Sequence, residues 1–429
     1  MKPAVVILGA GKGTRMKSST PKVLHKIANH SMLSLIIKEA QKISDDITVV
    51  VAHQADRVES EIGDEISNIK FLRQDDKNYP GTGGALRGFR CEKERVLILN
   101  GDMPLIESSE LQKLLDVEAD IVMTSINLDN PTGYGRVVEV NGEVQKIVEE
   151  KDASTDEKLI NSVNAGVYLF RSSILNKHLL NIDNSNASGE YYLTDLIELT
   201  VNSGGSVKSA IVSKENFMGV NSKKQLSEAE EIFLDRVRDR AMISGVTMHL
   251  PKTIFIDPDV RFIGESDIEQ NVTILGKTTI KESHIKAGTV IEDSYIDNST
   301  IGVTAHIRPD SHIVDSKIGN FVEVKKSQLK GVKSGHLTYI GDSEIDEGTN
   351  IGAGVITCNY DGKAKHKTKI GKNVFVGSDS QLVAPVTISD DVMIGAGSTI
   401  TADAPKGSLA ISRIKMKIIN GFFYKFFGK

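Results

Sequence analysis

The stretch IGKNVFVGSDSQLVAPVTISDDVMIGAGSTI, Ile370 to Ile400, places an aliphatic residue at Ile370, Val376, Leu382, Ile388, Ile394 and Ile400. The same interval recurs at Ile268, Ile274 and Ile280, at Ile285 and Ile291, and at Ile301, Ile307 and Ile313, often with glycine after the aliphatic. A hexapeptide period marks a parallel β-helix, in which each repeat is one short strand and a turn and the aliphatics stack as an interior ladder. An ordinary antiparallel domain would space its strands roughly eight to twelve residues apart with alternating polarity. The beat stops at Ile356–Gly371, ITCNYDGKAKHKTKIG, where Asn, Tyr, Asp and Lys replace the aliphatics.

Upstream the period is different. From Val5 to about Gly219, short apolar runs (AVVIL, DITVVVA, RVLILNGD, DIVMTSI) alternate with amphipathic segments such as SMLSLIIKEAQKI. Continuous apolar strands separated by helices predict a parallel sheet covered on both faces, with ligands beyond the carboxyl ends of its strands. Between the halves, Leu226, Ala229, Phe233, Val237 and Ala241 fall on one helical stripe, with Ser222 and Gln225 as a capping box and Gly245 as the stop. The expected division is therefore an α/β domain over 1–221, a linker helix over 222–245, and a β-helix domain with its tail over 246–429.

The 429 residues carry a net charge of −5, and no basic patch points to nucleic acid. Two cysteines, Cys91 and Cys358, form neither a disulfide framework nor a zinc spacing. The opening MKPAVVILGAGKG has an apolar run far short of a signal-peptide core, so a cytoplasmic protein is expected.

LGAGKGTRM follows the first strand directly. Its glycines free backbone amides for phosphate, and Lys12 and Arg15 supply positive charge. It is neither a Walker A loop nor a dinucleotide fingerprint, because Thr14 stands where the third glycine belongs. PKVLH, GTGGA (Gly81–Ala85), NGDMPL (Asn100–Leu105) and GVN (Gly219–Asn221) follow in order, and Asp102, at the end of a buried strand, is the natural magnesium ligand.

With PTGYGRVV, IVEEKDA, VNAGV, GEYYLTD and GVNSKKQL, and then the hexapeptide half, nearly the whole chain resembles the bacterial bifunctional N-acetylglucosamine-1-phosphate uridylyltransferase/glucosamine-1-phosphate N-acetyltransferase family. The resemblance implies a Rossmann-like nucleotidyltransferase domain followed by a left-handed parallel β-helix. For the first half it implies uridylyl transfer from UTP to N-acetylglucosamine 1-phosphate with release of pyrophosphate. Leu8, Gly11, Lys12, Gly13, Arg15 and Lys22 would bind UTP and the sugar phosphate, with Lys22 on phosphate, and Asp102 and Asn221 would hold magnesium. Gln74, Gly81 and Thr82 would line the uracil and ribose pocket, and Gly135, Glu149 and Asn164 the sugar. The segment between Gln74 and Gly81 is longer than the family's, which leaves open which residue reads the base. Without the resemblance, Glu149 reads first as a solvated loop charge and Asn164 as a turn residue.

In the second half, polar and basic residues gather in one zone: Arg308, Glu323, Lys325, His336, Tyr339, Asn350, Asn359, Tyr360 and Lys365. One coil takes about three hexapeptides, so residues about eighteen apart stack on one face. Arg308, Lys325 or Lys326, and residues near 343 are then expected as a phosphate-binding column. His336 lies between that column and the interruption, where an acyl transfer to an amine needs a base near neutrality.

GNFVEVKK, GHLTYIGD, NIGAGVITCNYDG and VGSDSQLVAPV resemble the acetyltransferase half of the same family. By that resemblance His336 deprotonates the amine of glucosamine 1-phosphate, which attacks acetyl-CoA. Arg308 and Lys325 would hold the sugar phosphate, and Tyr339, Asn350 and Lys365 the sugar. Ala353, Asn359, Tyr360, Ser378, Ala396 and Arg413 would contact acetyl-CoA, and the protein would be a homotrimer. The tail KMKIINGFFYKFFGK departs from the family's polar ending, and packing on a neighbouring subunit is preferred to contact with a membrane surface. Two other readings stand beside this one: a nucleotidyltransferase whose β-helix only regulates it, and a β-helix that is a passive binding module.

Overall fold

Within Ala4–Leu8, Val5 and Ile7 enter one buried cluster while Ala4 and Val6 enter another, so this strand packs a core on each face. The computed structural model describes residues 2–186 and 188–429. The chain forms two compact units, one ending at Phe233 and the other beginning at Leu234.

The first unit is built on a nine-stranded sheet. Its strands are β1 (Ala4–Leu8), β2 (Asp46–Val51), β3 (Lys70–Arg73), β4 (Arg95–Asn100), β5 (Ile121–Asn127), β6 (Arg136–Val140), β7 (Glu143–Val148), β8 (Ser162–Arg171) and β9 (Val207–Ile211). The order is β9-β5-β8-β4-β1-β2-β3, with β6 and β7 as a hairpin on β8. Strands β3, β2, β1 and β4 are parallel, as the apolar runs predict. The parallel expectation fails at β8, which runs antiparallel to both β4 and β5, and at the β6–β7 hairpin, while β9 again pairs parallel with β5. A strand buried on both faces has the same apolar run whichever way it points, so its direction was not legible. The β5–β8 pairing shifts register between Asn164 and Tyr168, around Gly166 at φ +80°. Such a bulge re-aims neighbouring side chains.

The helix Lys223–Ile243 follows, and Gly245 takes a positive φ just past its end. Gln225 N donates to Ser222 Oγ, and Asn221 N donates to Gln225 Oε1. The capping exchange therefore fixes Asn221 itself.

The second unit is a left-handed parallel β-helix of three parallel sheets with ten, nine and eight strands. Ile280 stands opposite Ile296, Ile274 opposite Ile291, and Leu382 opposite Ile400, which sets sixteen to eighteen residues per coil. Ile274, Ile291, Ile307, Val324 and Ile340 form one fully buried ladder. Each such side chain contributes about 1.5–3 kcal/mol of burial. Glycine after the aliphatic is a packing requirement at the corner: a Cβ on Gly319 would lie 1.7 Å from Gly335 O.

Two ladder positions are polar. Ser334, between Ile318 and Ile351, is buried with its Oγ unpartnered, and Thr357 Oγ1 accepts from Gly341 N. At the break in the beat the coil lengthens, with Ile345 opposite Ile370, twenty-five residues on. The excess is a small hairpin in which His366 N donates to Asn359 O and Asp361 Oδ1 accepts from Lys363 N and Ala364 N. The tail ends in a short helix, Phe422–Phe427, with Ile414 and all four of its phenylalanines exposed. Among the described residues, no helix is long and apolar enough to cross a membrane.

Candidate active sites

In the first unit the ends of β1 and β4 open on a cavity of about 690 Å³. Leu8, Gly11, Lys12, Gly13, Lys22, Gln74, Gly81, Thr82 and Asp102 line it. Gly13, at φ +60°, leaves no room for a Cβ, which would sit 2.6 Å from Lys22 Cβ, so the loop folds directly onto Lys22. The Lys22 ammonium pairs with Asp102 Oδ2 and lies 2.6 Å from Asn221 Oδ1, which also accepts from Arg15 at 2.8 Å. Thus Arg15, Lys22, Asp102 and Asn221 converge, and Lys12 pairs with Asp76 across the mouth at 3.4 Å.

Gln74 Nε2 donates to Tyr79 O at 2.9 Å and Gly81 O at 3.1 Å, so its amide protons are spent holding the loop and Oε1 remains as the acceptor. Thr82 Oγ1 accepts from Leu193 N. Asp76, Asn100, Met103 and Glu190 also line the cavity and were not singled out from sequence. Asn100, Met103 and Glu190 lie inside quoted motifs, which was the only signal available.

Gly135, Glu149 and Asn164 come together at the hairpin. Asn164 N donates to Gly135 O, and a Cβ on Gly135 would lie 3.3 Å from Glu149 Oε1. Asn164 Nδ2 donates to the buried Tyr168 hydroxyl. Burial, then the nearby Asp152, pushes the Glu149 carboxyl above its ordinary range. Asp195 is pushed up to about 6, chiefly by burial and then by Asp183, Glu198 and Glu149.

In the second unit Arg308 and Lys325 occupy the same position on successive coils, since Ile307 stands opposite Val324. The next coil places Gly341 there, two residues before 343, while Ser343 itself is buried in the third sheet. The absent side chain makes room: a Cβ on Gly341 would lie 2.5 Å from Tyr339 Oη and 2.7 Å from Asn359 Nδ2. Lys365, from the inserted hairpin, comes against Lys325 and holds its ammonium below the usual lysine range, with burial and Arg308 adding to the effect. Lys325 thus has two cationic neighbours, Lys365 and Arg308, a setting that favours a bound anion. Arg308 also pairs with Glu323 at 2.9 Å.

His336 is exposed at the corner before Tyr339. Asn359 is buried and donates to Asp342, a partner that sequence reading missed, while Tyr360 is 61% exposed. Ala353, Ser378 and Ala396 stand at one corner of three successive coils, because Ile351, Val376 and Ile394 are in register. Arg413 donates to Ala396 O at 3.0 Å. Asn350 is set apart, in register with Lys333 and Phe375 on the first sheet. A groove of about 910 Å³ runs along the third sheet and contains none of these residues. Its Glu344 is paired with Lys367 and Lys369, and its Asp390 with Lys406.

Comparison with known proteins agrees with both halves. A family model described as MobA-like NTP transferase domain matches residues 5–154, and one described as bacterial transferase hexapeptide (six repeats) matches residues 367–402. The chain is 58% identical over 426 residues to the bifunctional protein GlmU of a Nitratiruptor species, covering 99% of each. It is 55% identical over 426 residues to that of Aliarcobacter butzleri, covering 99% of this chain and 98% of the relative. It is 54% identical over 428 residues to that of a Sulfurovum species, covering 100% of each. The chain therefore belongs to the GlmU family of bifunctional sugar-1-phosphate uridylyltransferases and N-acetyltransferases, and is itself a bifunctional transferase.

Proposed function

We propose that residues 1–221 carry the uridylyl transfer, residues 222–245 link the halves, and residues 246–429 carry the acetyl transfer. In the first reaction a phosphate oxygen of N-acetylglucosamine 1-phosphate attacks the α-phosphorus of UTP, and the bond to pyrophosphate breaks. No protein nucleophile is required, because alignment and charge neutralisation lower the barrier. Lys22, Arg15 and the amides of the glycine loop hold the phosphates. Glu149, Asn164 and Gly135 orient the sugar, and Gly81 and Thr82 the nucleoside. Asp102 and Asn221 offer one carboxylate and one amide oxygen beside the phosphate cradle, a donor set that suits magnesium, which binds few protein ligands and completes its shell with phosphate and water. When bound, magnesium would neutralise phosphate charge.

In the second reaction His336 takes a proton from the 2-amino group of glucosamine 1-phosphate. The amine attacks the thioester carbonyl, the carbon–sulfur bond breaks, and CoA leaves as the thiol. Arg308, Lys325 and Lys365 hold the sugar phosphate and Tyr339 the sugar. The ledge of Ala353, Ser378 and Ala396, with Asn359, Tyr360 and Arg413, takes acetyl-CoA. The observation that carries this reading is the convergence of Lys365, from the one irregular segment of the β-helix, on the Arg308–Lys325 column.

A homotrimer is supported by one face. Phe375, Met393 and Leu409, 48%, 51% and 59% exposed, stack in register on the first sheet as the continuation of the column that bears Asn350. A flat apolar stripe suits closed packing of copies, and a neighbour's site is where Asn350 would then act. The protein works in the cytoplasm on small molecules, without nucleic acid, and its tail packs on a neighbouring subunit.

Separate assays of magnesium-dependent pyrophosphate release and of CoA release test the assignment on wild type, Asp102→Asn and His336→Ala. Each substitution is expected to abolish one activity and spare the other. Full CoA release by His336→Ala would overturn the acetyl-transfer assignment, and a preference for another nucleotide over UTP would overturn the uridylyl assignment.

A further inference from the structure

The loop that presents Gln74, Gly81 and Thr82 to the nucleotide cavity runs through Tyr79 and Pro80. Tyr79 N donates to Asp75 O, and Asn78 N to Asp75 Oδ1, so residues 75–79 close on themselves and set the Tyr79 ring in place. That ring lies 5.8 Å from the Tyr191 ring at an interplanar angle of 55°, an open V. The Arg87 guanidinium sits in the V, 4.5 Å from the Tyr79 centroid and 5.0 Å from that of Tyr191. Among the described residues no carboxylate pairs with Arg87, so the two π faces hold its charge.

The backbone around this block is interlocked. Tyr191 N donates to Pro80 O at 2.9 Å, Gly83 N to Tyr191 O at 2.8 Å, and Leu193 N to Thr82 Oγ1 at 3.0 Å. Gly81, at φ +90°, and Gly84 leave no space for side chains: a Cβ on Gly81 would lie 2.6 Å from Tyr191 O, and one on Gly84 2.1 Å from Tyr79 O. Glu190, beside Tyr191, lines the same cavity as Gly81 and Thr82.

We propose that Tyr79, Arg87 and Tyr191 form an aromatic–guanidinium clamp of positioning residues that locks the nucleotide loop 80–84 onto segment 190–193, so that the UTP pocket is formed before UTP arrives. The proposal rests on the uridylyl-transfer reading of this unit. Arg87 and Tyr79 do not line the cavity, so they act through the loop. A preorganised loop lowers the ordering cost of binding, which appears in KM and affinity for UTP rather than in kcat.

The test uses the full-length protein as wild type, Tyr79→Ala, Tyr79→Phe, Arg87→Ala and the double alanine variant. Pyrophosphate release is measured against UTP concentration, and UTP affinity by calorimetry without turnover. Either alanine substitution is expected to raise KM and Kd for UTP about tenfold, the scale of a partly desolvated cation–π contact, with kcat kept within about threefold and CoA release unchanged. Tyr79→Phe keeps the ring and is expected to match wild type, and the double variant to be no worse than the worse single one. An unchanged Kd in Arg87→Ala, or a fall in kcat at constant KM, overturns the clamp. If wild type releases no pyrophosphate from UTP and N-acetylglucosamine 1-phosphate, the reaction reading falls instead, and the calorimetric comparison still decides the clamp.

Discussion

Lys22 Nζ lies 2.6 Å from Asn221 Oδ1, although 199 residues separate them. The same ammonium pairs with Asp102, so one cation is shared between the two oxygens assigned to magnesium. Asn221 is held there by Gln225 Oε1, which accepts its backbone N–H at the start of the linker helix. Asn221→Ala removes one of the two proposed protein donors and is expected to raise the magnesium concentration for half-maximal pyrophosphate release at least about tenfold, the loss associated with a charge-assisted contact. Gln225→Ala shifts it less and in the same direction. A titration of activity against magnesium reads both, and an unshifted midpoint in Asn221→Ala counts against Asn221 as a ligand.

Lys325 and Lys365 crowd each other in the second unit, with Arg308 adding a third charge. An anion bound among them relieves that repulsion, so Lys365→Met is expected to raise KM for glucosamine 1-phosphate about tenfold. UTP turnover is left alone. The wild-type KM should also climb with ionic strength, since exposed cations are screened. A salt-independent KM would show that the cluster does not hold the phosphate.

Asp195 carries a pH prediction with a definite sign. Its folded value of about 6 exceeds the ordinary 3.8, so between those values the folded protein holds a proton that the unfolded chain releases. Stability is therefore lost as pH rises through about 4 to 6 and stays lost above. Asp195→Asn is expected to raise stability at pH 8 by on the order of 1 kcal/mol, solvent screening reducing what full burial would give. Thermal unfolding at pH 5 and pH 8 should show the gap between variant and wild type narrowing at the lower pH.

The β-helix was legible because its ladder is written in single residues: Ile274, Ile291 and Ile307 fall where the coil length puts them. Arg308 and Lys325 were legible as neighbours for the same reason, being one coil apart. The third member of that column was not, because Gly341 acts by the space it leaves for Tyr339 and Asn359, which come from elsewhere. Asn350 was placed beside Tyr339 by the resemblance; it lies on the first sheet, next to the strand that bears His336, whereas Tyr339 lies on the second. In the first unit the reversed β8 and the cavity wall at Asp76 and Glu190 depend on how distant segments return, and no local period encodes that. Asp102 was legible because it follows directly on a buried strand.

Two glycine substitutions separate folding from function within the same coils. A Cβ on Gly319 meets the backbone of Gly335, which cannot move without breaking the stacked corner. Gly319→Ala should therefore unfold the β-helix locally, lowering its thermal midpoint and removing CoA release together. A Cβ on Gly341 meets instead the ends of two side chains, the Tyr339 hydroxyl and the Asn359 amide, both of which can swing away. Doing so costs Asn359 its bond to Asp342 and displaces Tyr339 from the place proposed for the sugar. Gly341→Ala should keep the thermal midpoint within a few degrees, because the loss is about one hydrogen bond, on the order of 1 kcal/mol. Its KM values for acetyl-CoA and for glucosamine 1-phosphate should both rise while pyrophosphate release is unaffected. Equal loss of midpoint in the two variants would mean that Gly341 serves the coil rather than the site.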